Sequence, residues 1–352
     1  MKVVKDDSGI VSEASAKVVE PTAPQSSLDA AKLLAEEAGR RIEIPMRMAF
    51  VRNDDPDTKP PLARLIIAGG RGGAVPLKLY LALIWRCSAE PFETDILARH
   101  WAELLGLEEP ATLGARRVTR ALDLLAKLDL VKLTKRRGES TIVRLLEESG
   151  SGAPYTLPST AYALAETPEE KALHRYFKVP PQLWTNGDIQ LMSAAAFAML
   201  LVFSAERNVD GRRTWWSTER FPRLFNLSPS VRSQGTAELE DRGLISVKKQ
   251  LVTNTPAPTF TRQRVRHTYK LRRHARPEVM IEQMNRDREA ARKTAAAEAE
   301  QGGESELKRM LREYQERERA AKSTKASAKK SAKPKRTLTR KASPPTSSST
   351  ES

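Results

Sequence analysis

The side chains that most often perform catalysis or bind metals are sparse in this sequence. It has four histidines (His100, His174, His267 and His274) and one cysteine, Cys87. Two histidines four residues apart, or histidines combined with a cysteine pair, would suit a tetrahedral zinc site, and neither arrangement occurs. The sequence therefore predicts no metal site, and it favours a structural or phosphate-facing role for His267.

Motifs of common enzyme classes are missing as well. A glycine-rich stretch, residues 69–73, lacks the G-x-x-x-x-G-K-[ST] spacing of a phosphate-binding loop, and the next lysine, Lys78, follows Pro76. We interpret this stretch as a flexible turn before a helix, with Arg71 available to a nucleic-acid backbone. The sequence also has no G-x-S-x-G motif, no His-x-His motif of rolling-circle replication enzymes and no nuclease-like cluster of carboxylates. We predict a protein that is not an enzyme and binds no cofactor.

Positive charge is the strongest compositional signal. The 352 residues carry a formal net charge of +16, with an isoelectric point of about 10.0. This charge favours a polyanionic partner, although by itself it does not choose among DNA, RNA and an acidic membrane. No apolar run approaches the roughly 18 residues of a membrane span, residues 1–24 lack the apolar segment of a secretion signal, and Cys87 has no disulfide partner. We expect a cytoplasmic, nucleoid-associated protein with no membrane partner.

The functional prediction centres on residues 227–245. Ser228 is a favourable N-cap, and Pro229 suits the first helical turn, where its missing N–H costs nothing. A narrow apolar stripe at helical spacing then lies opposite a polar surface. Gly243 ends the helix, and residues 244–247 begin a strand.

The same order of elements is predicted twice. In the first copy, apolar spacing indicates a buried helix at 77–87, a second helix capped by Thr94 and a third helix at 115–128. A β-hairpin follows, with strands at 131–133 and 141–145 and a basic turn between them. The second copy repeats this order, with its elements at 193–207, 217–225, 228–243, 244–247 and 265–272.

Three helices followed by a β-hairpin with a basic tip resemble the winged helix-turn-helix. The resemblance implies a mainly α fold with small β-hairpins (α+β), built from two tandem winged-helix domains. The predicted divisions are an N-terminal arm with a short helix (1–45), winged-helix domain 1 (46–147), a linker (148–176), winged-helix domain 2 (177–276), a charged helical extension (277–322) and a disordered tail rich in lysine, serine and proline (323–352).

In a winged helix the third helix enters the major groove of duplex DNA, and the hairpin, or wing, reaches an adjacent groove or phosphate. The resemblance therefore implies DNA contacts from the polar faces of both third helices and from both wings. In the first domain these residues are Arg116, Arg117, Thr119, Arg120, Lys135, Arg136 and Arg137. In the second domain they are Ser230, Arg232, Ser233, Gln234, Thr236, Lys248, Lys249, Arg262, Arg264 and Arg266. We expect the third helix of the second domain to select bases and the more basic residues of the first domain to supply electrostatic affinity. We expect Trp215 and Trp216 to pack in the core.

Two such domains in one chain resemble the plasmid replication initiators built from two winged helices. This resemblance implies sequence-specific binding of double-stranded DNA at repeated origin sequences, with host replication proteins or a second copy of the chain as further partners. A transcriptional regulator with tandem winged helices fits the same residues nearly as well. A winged-helix protein-interaction module is a third alternative, although two basic wings argue against it.

Overall fold

The computed structural model describes residues 22–38, 43–53, 58–70, 73–135, 137–207, 212–252, 264–272, 275, 285–286, 288–295 and 316. Within them the chain is rich in helix and carries small antiparallel sheets, which confirms the mainly α prediction. The start of the predicted arm, at 1–21, most of the predicted extension at 277–322 and all of the predicted tail at 323–352 lie outside the described residues.

The elements up to residue 145 end in a three-stranded sheet. In chain order they are α1 (Gln25–Glu37), β1 (Ile44–Arg47), α2 (Pro61–Gly69), α3 (Ala74–Arg86), β2 (Glu93–Thr94), α4 (Ala98–Leu104), α5 (Ala115–Lys127), β3 (Val131–Thr134) and β4 (Ile142–Leu145). A π-helical turn, Pro110–Gly114, leads directly into α5. The helices predicted at 77–87 and 115–128 are confirmed as α3 and α5, and the predicted hairpin is confirmed as β3 and β4.

The elements after residue 145 end in a two-stranded hairpin. In chain order they are α6 (Pro158–Leu164), α7 (Pro168–Leu173), β5 (Tyr176–Val179), α8 (Gln182–Thr185), α9 (Asp188–Leu191), α10 (Ala194–Ala205), α11 (Arg220–Phe225), α12 (Pro229–Asp241), β6 (Ile245–Val252) and β7 (Arg264–Leu271). The N-cap predicted at Ser228 is confirmed, because its Oγ accepts a hydrogen bond from the Val231 N–H at 3.2 Å. Gly243 follows α12 with a φ of +69°, a conformation that favours glycine.

Each half of the structure pairs an extended segment with the last strand of its hairpin. In the first half the sheet order is β2-β4-β3, and β2 runs antiparallel to β4. In the second half β6 pairs with β7, and Thr214 forms an antiparallel bridge to Tyr269 on β7. The prediction that Thr94 caps the second helix is wrong. Thr94 lies in β2 opposite Val143, a position that suits a β-branched residue, and the helix begins at Ala98.

Helix α10 is the centre of the core in the second half. Residues 196–204 are buried all round, because this helix is apolar on every side. Helix α12 crosses it closely at Gly235, where a Cβ atom would lie 2.6 Å from the carbonyl carbon of Ala195 and 2.7 Å from Cγ of Met199. Because Gly235 has no side chain, helix α12 can lie this close to α10.

The segments predicted as two domains and a linker pack into one compact unit. Strand β1 pairs antiparallel with β5, so that the stretch before the first half is hydrogen-bonded to the stretch before the second. The rings of Trp85 on α3 and Trp184 on α8 stack with their centroids 6.3 Å apart. Glu148, within the predicted linker, is fully buried. The two halves therefore share one hydrophobic core.

Residues 285–352 form a second unit, described at 285–286, 288–295 and 316. Residues 288–295 are helical with exposed side chains, and Nζ of Lys293 lies 3.0 Å from Oε1 of Glu289. Among the described residues of the whole chain, no helix combines the length and the apolar character that crossing a bilayer requires.

Replacing Gly235 with alanine should lower the free energy of unfolding by about 2 kcal/mol or more, because the added Cβ would clash with the backbone of α10. At an exposed helical position the same exchange would raise stability by up to about 1 kcal/mol. Urea unfolding of the full chain measures the change. The control is Ser233→Ala at an exposed position of α12, which should alter stability by less than about 0.5 kcal/mol. A Gly235→Ala protein as stable as the wild type would contradict the close crossing.

Candidate nucleic-acid interface

Helix α5 separates an apolar face from a strongly basic one. Its apolar residues recur at helical spacing and are buried against the core: Val118, Ala121, Leu122 and Leu125. The opposite face exposes the residues predicted to contact DNA: Arg116, Arg117, Thr119 and Arg120. The hydroxyl of Thr119 donates to the carbonyl of Ala115 at 3.0 Å. The three arginines therefore lie side by side in contact with solvent.

The turn between β3 and β4 extends this positive charge. Lys135 and Arg137 are exposed, whereas Arg136 lies outside the described residues. Nζ of Lys135 lies 3.6 Å from Oδ1 of Asp123 on α5, an exposed ion pair of the kind that contributes little to stability. This contact places the base of the hairpin turn beside α5. We call the resulting basic area the α5 surface, formed by Arg116, Arg117, Thr119, Arg120, Lys135 and Arg137.

Helix α12 exposes polar groups without charge in its first turns. Ser230, Ser233 and Gln234 are exposed, and Nε2 of Gln234 donates to Oγ of Ser230 at 3.1 Å. Thr236 is partly buried. Neutral hydrogen-bonding groups add little long-range attraction to DNA, but they can select bases. Helix α5 therefore exposes arginines and helix α12 exposes mainly neutral polar groups, as the sequence predicts.

Arg232 differs from its neighbours in α12 because its guanidinium packs against aromatic rings. Its Cζ lies 4.8 Å from the ring centroid of Phe221, 5.8 Å from that of Trp216 and 6.0 Å from that of Tyr269. One guanidinium nitrogen also donates to the Trp216 carbonyl at 3.2 Å. These contacts give Arg232 a packing role between α12, α11 and β7. Base contact by this arginine stays a prediction.

The second hairpin also carries positive charge. Lys248 and Lys249 on β6 are exposed. Cζ of Arg266 on β7 lies 3.9 Å from the ring centroid of Trp215, which is a cation–π contact. Two of the DNA contacts predicted for this hairpin lack a described side chain: Arg262 lies outside the described residues, and of Arg264, which begins β7, only the backbone is described.

The adjacent tryptophans before α11, both predicted to pack in the core, have different environments. Trp216 is 6% exposed and contacts the rings of Phe221 and Phe225, whereas Trp215 is 44% exposed. Of the two adjacent rings, only that of Trp216 reaches the core. The prediction is confirmed for Trp216 and wrong for Trp215.

A buried lysine that no sequence motif marks lies near both third helices. Lys78 on α3 donates from Nζ to the carbonyl of Gln190 at 3.0 Å. Burial lowers the pKa of Lys78 to about 8; among the neighbouring charges, Glu238 raises this pKa, and Arg242 and Arg117 lower it. Glu238 lies near the end of α12, Arg242 directly follows that helix and Arg117 is at the start of α5, so charges associated with both helices act on the same ammonium group. A single lysine within residues 75–85 of α3, a stretch that is otherwise free of charge, is the signal that could have indicated it.

Among the described residues, no group of three or more His, Cys, Asp or Glu side chains is arranged to hold a metal ion. The chain matches no protein-family model, no curated protein and no solved structure. The functional assignment therefore rests on the residues and geometry of this chain alone.

Replacing Arg232 with alanine should lower the free energy of unfolding by about 2 kcal/mol, since the change removes its cation–π contacts and its hydrogen bond to the Trp216 carbonyl. Urea unfolding measures the effect. The matched control, Arg120→Ala on the exposed face of α5, should stay within about 0.5 kcal/mol of the wild type. An Arg232→Ala protein with wild-type stability but a changed base preference on DNA would instead identify Arg232 as a base contact.

The low pKa of Lys78 should make stability depend on pH in one direction. The pKa is about 8 in the folded protein and about 10.4 in an unfolded chain, so the charged lysine destabilises the fold below pH 8 and the penalty disappears as the pH approaches about 10. The unfolding free energy of the wild type minus that of Lys78→Met should therefore rise by roughly 2 to 3 kcal/mol between about pH 7 and pH 10. Urea unfolding across this range tests it. For the control Lys127→Met, at an exposed position, the difference in unfolding free energy from the wild type should not change with pH. A difference for Lys78→Met that does not change with pH would refute the lowered pKa.

Proposed function

We propose that this protein binds specific sequences of double-stranded DNA through two winged-helix units, one from α3 to β4 and one from α10 to β7. The observation that carries the proposal is the order of elements, which is the same in both units. Each has a buried helix, an extended segment paired with the last strand, two further helices and a hairpin. In a winged helix, the third helix of this order enters the major groove.

The α5 surface has the chemistry that duplex DNA requires. Arginine can donate two hydrogen bonds to O6 and N7 of guanine, and Arg116, Arg117 and Arg120 are exposed together on one face of the third helix. Lys135 and Arg137 on the neighbouring hairpin turn suit phosphates outside the groove. We assign to this surface most of the electrostatic affinity and some guanine contacts.

Helix α12 suits base selection. The exposed amide of Gln234 can bind N6 and N7 of adenine, and serine hydroxyls can contact several bases as donor or acceptor. The exposed lysines of β6, Lys248 and Lys249, supply phosphate contacts beside it. In this unit, neutral side chains select bases, and a small number of lysines bind phosphates and so fix the position of the protein on the DNA.

Two units in one body suit a target with more than one sequence element. The β1–β5 pairing and the stacked Trp85 and Trp184 hold the units together, so both third helices can bind one DNA molecule at a defined spacing. Binding of repeated origin sequences, as a plasmid-type replication initiator does, is the specific role that we propose.

Selection of bound duplexes from a random library tests the proposal. The full chain should enrich a sequence with two elements, and the enriched duplex should bind at least about a hundredfold more tightly than a scrambled duplex. Failure to enrich any sequence, together with equal binding of both duplexes, would contradict sequence-specific binding.

Fluorescence anisotropy with the enriched duplex separates the roles of the helices. Changing the three α5 arginines to alanine should weaken binding to every duplex, relax the preference for any guanine that they contact, and reduce the slope of log K against log salt by about 1 for each of the three that contacts a phosphate. Ser233→Ala with Gln234→Ala should alter preference at individual base pairs by about 1 to 3 kcal/mol without changing that slope. Lys171→Ala, an exposed change on α7, is the control and should do neither.

A further inference from the structure

One tryptophan in this chain is left in contact with solvent. Of the five tryptophans, four are at most 6% exposed, whereas Trp215 is 44% exposed. Single exposed apolar side chains are common on protein surfaces and need no explanation by themselves. The surroundings of Trp215 distinguish it from such a residue.

The ring of Trp215 is restrained by the backbone before it and by one stacked side chain. The backbone of Thr214 exchanges two hydrogen bonds of 2.8 Å with Tyr269 on β7, which fixes the chain immediately before Trp215. Cζ of Arg266 lies 3.9 Å from the ring centroid, a separation typical of a stacked guanidinium. The ring therefore has little conformational freedom left to lose when another flat group stacks on it.

Trp215 also lines a groove between α12 and the second hairpin. The groove has a volume of about 980 Å³, which lies within the range of ligand sites. Trp216, Phe221 and Tyr269 also line the groove, but each is at most 6% exposed, so Trp215 presents its accessible aromatic ring. Its charged or titratable residues are Arg232, Lys249, Arg266, His267 and one acidic residue, Glu240. One exposed aromatic ring beside an excess of positive charge is complementary to a ligand that is both flat and anionic.

We propose that this groove binds an unpaired nucleobase together with its flanking phosphates, in single-stranded DNA or RNA. The base stacks on Trp215, and the phosphates on either side contact Lys249 and Arg266. Stacking of a base on an aromatic side chain strengthens binding by about five- to 150-fold and accepts every base, because each base has a flat face. The site therefore has affinity for single strands with little preference for sequence.

A base inside a duplex cannot use this groove. Both faces of a paired base are covered by its neighbours in the stack, so contact with Trp215 requires a base that lies outside the double helix. The groove lies among α11, α12 and the β6–β7 hairpin; it shares Ser233 and Lys249 with the surface proposed for duplex DNA but uses none of the α5 surface. Single-strand binding is therefore a further activity, and Trp215, which has no part in the duplex proposal, tests it separately.

Tryptophan fluorescence of the full chain reports on this groove, because Trp215 is the most exposed of the five tryptophans. Oligothymidylate should quench the emission, whereas an abasic strand with the same number of phosphates should bind by charge alone and leave it unchanged. Anisotropy with labelled strands should show oligothymidylate binding about fivefold or more tightly than the abasic strand. Oligouridylate identifies the source of the base: quenching equal to that by oligothymidylate means that DNA and RNA are both ligands, and weaker quenching means that DNA is preferred.

Variants at the same position complete the test. Trp215→Ala should lose the preference for oligothymidylate over the abasic strand, whereas Trp215→Phe, which keeps a flat ring, should retain most of it. The variant without the three α5 arginines should keep the preference, so a failure of duplex binding is distinguishable from a failure here. Retention of the preference by Trp215→Ala, equal binding of both strands by the wild type, or displacement of oligothymidylate by oligoglutamate as readily as by unlabelled oligothymidylate would overturn the proposal.

Discussion

The guanidinium of Arg47 and the carboxylate of Glu148 form an ion pair in which both side chains are fully buried. The guanidinium also donates to the carbonyl and to Oγ1 of Thr156, at 3.0 and 2.7 Å, and lies 5.7 Å from the ring centroid of Tyr155. Burial raises the pKa of Glu148, and the facing Arg47 opposes this shift. Since an unpaired buried charge costs about 3 to 5 kcal/mol, the pair strongly favours the arrangement in which the stretch after β4 lies against β1.

This arrangement has a consequence for the proposed interface. Because β1 also pairs with β5, the contacts of Arg47 connect the end of the first unit to the start of the second. Helices α5 and α12 are then presented by one shared core, and both come near Lys78. In the proposed complex with duplex DNA, the basic α5 surface and the neutral face of α12 would have different tasks, the first in affinity and the second in base selection.

Local sequence signals were sufficient for the two helices that carry proposed DNA contacts, whereas the strand predicted at 244–247 extends to Val252 and so includes Lys248 and Lys249. Apolar spacing identified α5 and its basic face, and the capping residue Ser228 identified the start of α12. Contacts between distant segments were not predictable in this way. Thr94 looks like a helix cap until its strand partner is known, and Arg47 meets Glu148 from 101 residues away, within a stretch whose Gly and Ser content is typical of a linker. The helical position of Arg232 likewise gives no sign that aromatic rings from α11 and β7 surround it.

Site-specific photo-crosslinking tests most directly whether duplex DNA contacts α5 and α12 together. A benzophenone side chain would replace Arg120 on α5, Ser233 on α12 or, as a control, Leu173 on α7, which is 67% exposed. With the selected duplex bound, the α5 and α12 positions should each crosslink to DNA and the α7 position should not. Crosslinking from the α7 position with equal yield, or its absence from either α5 or α12 while the duplex is bound, would contradict the account.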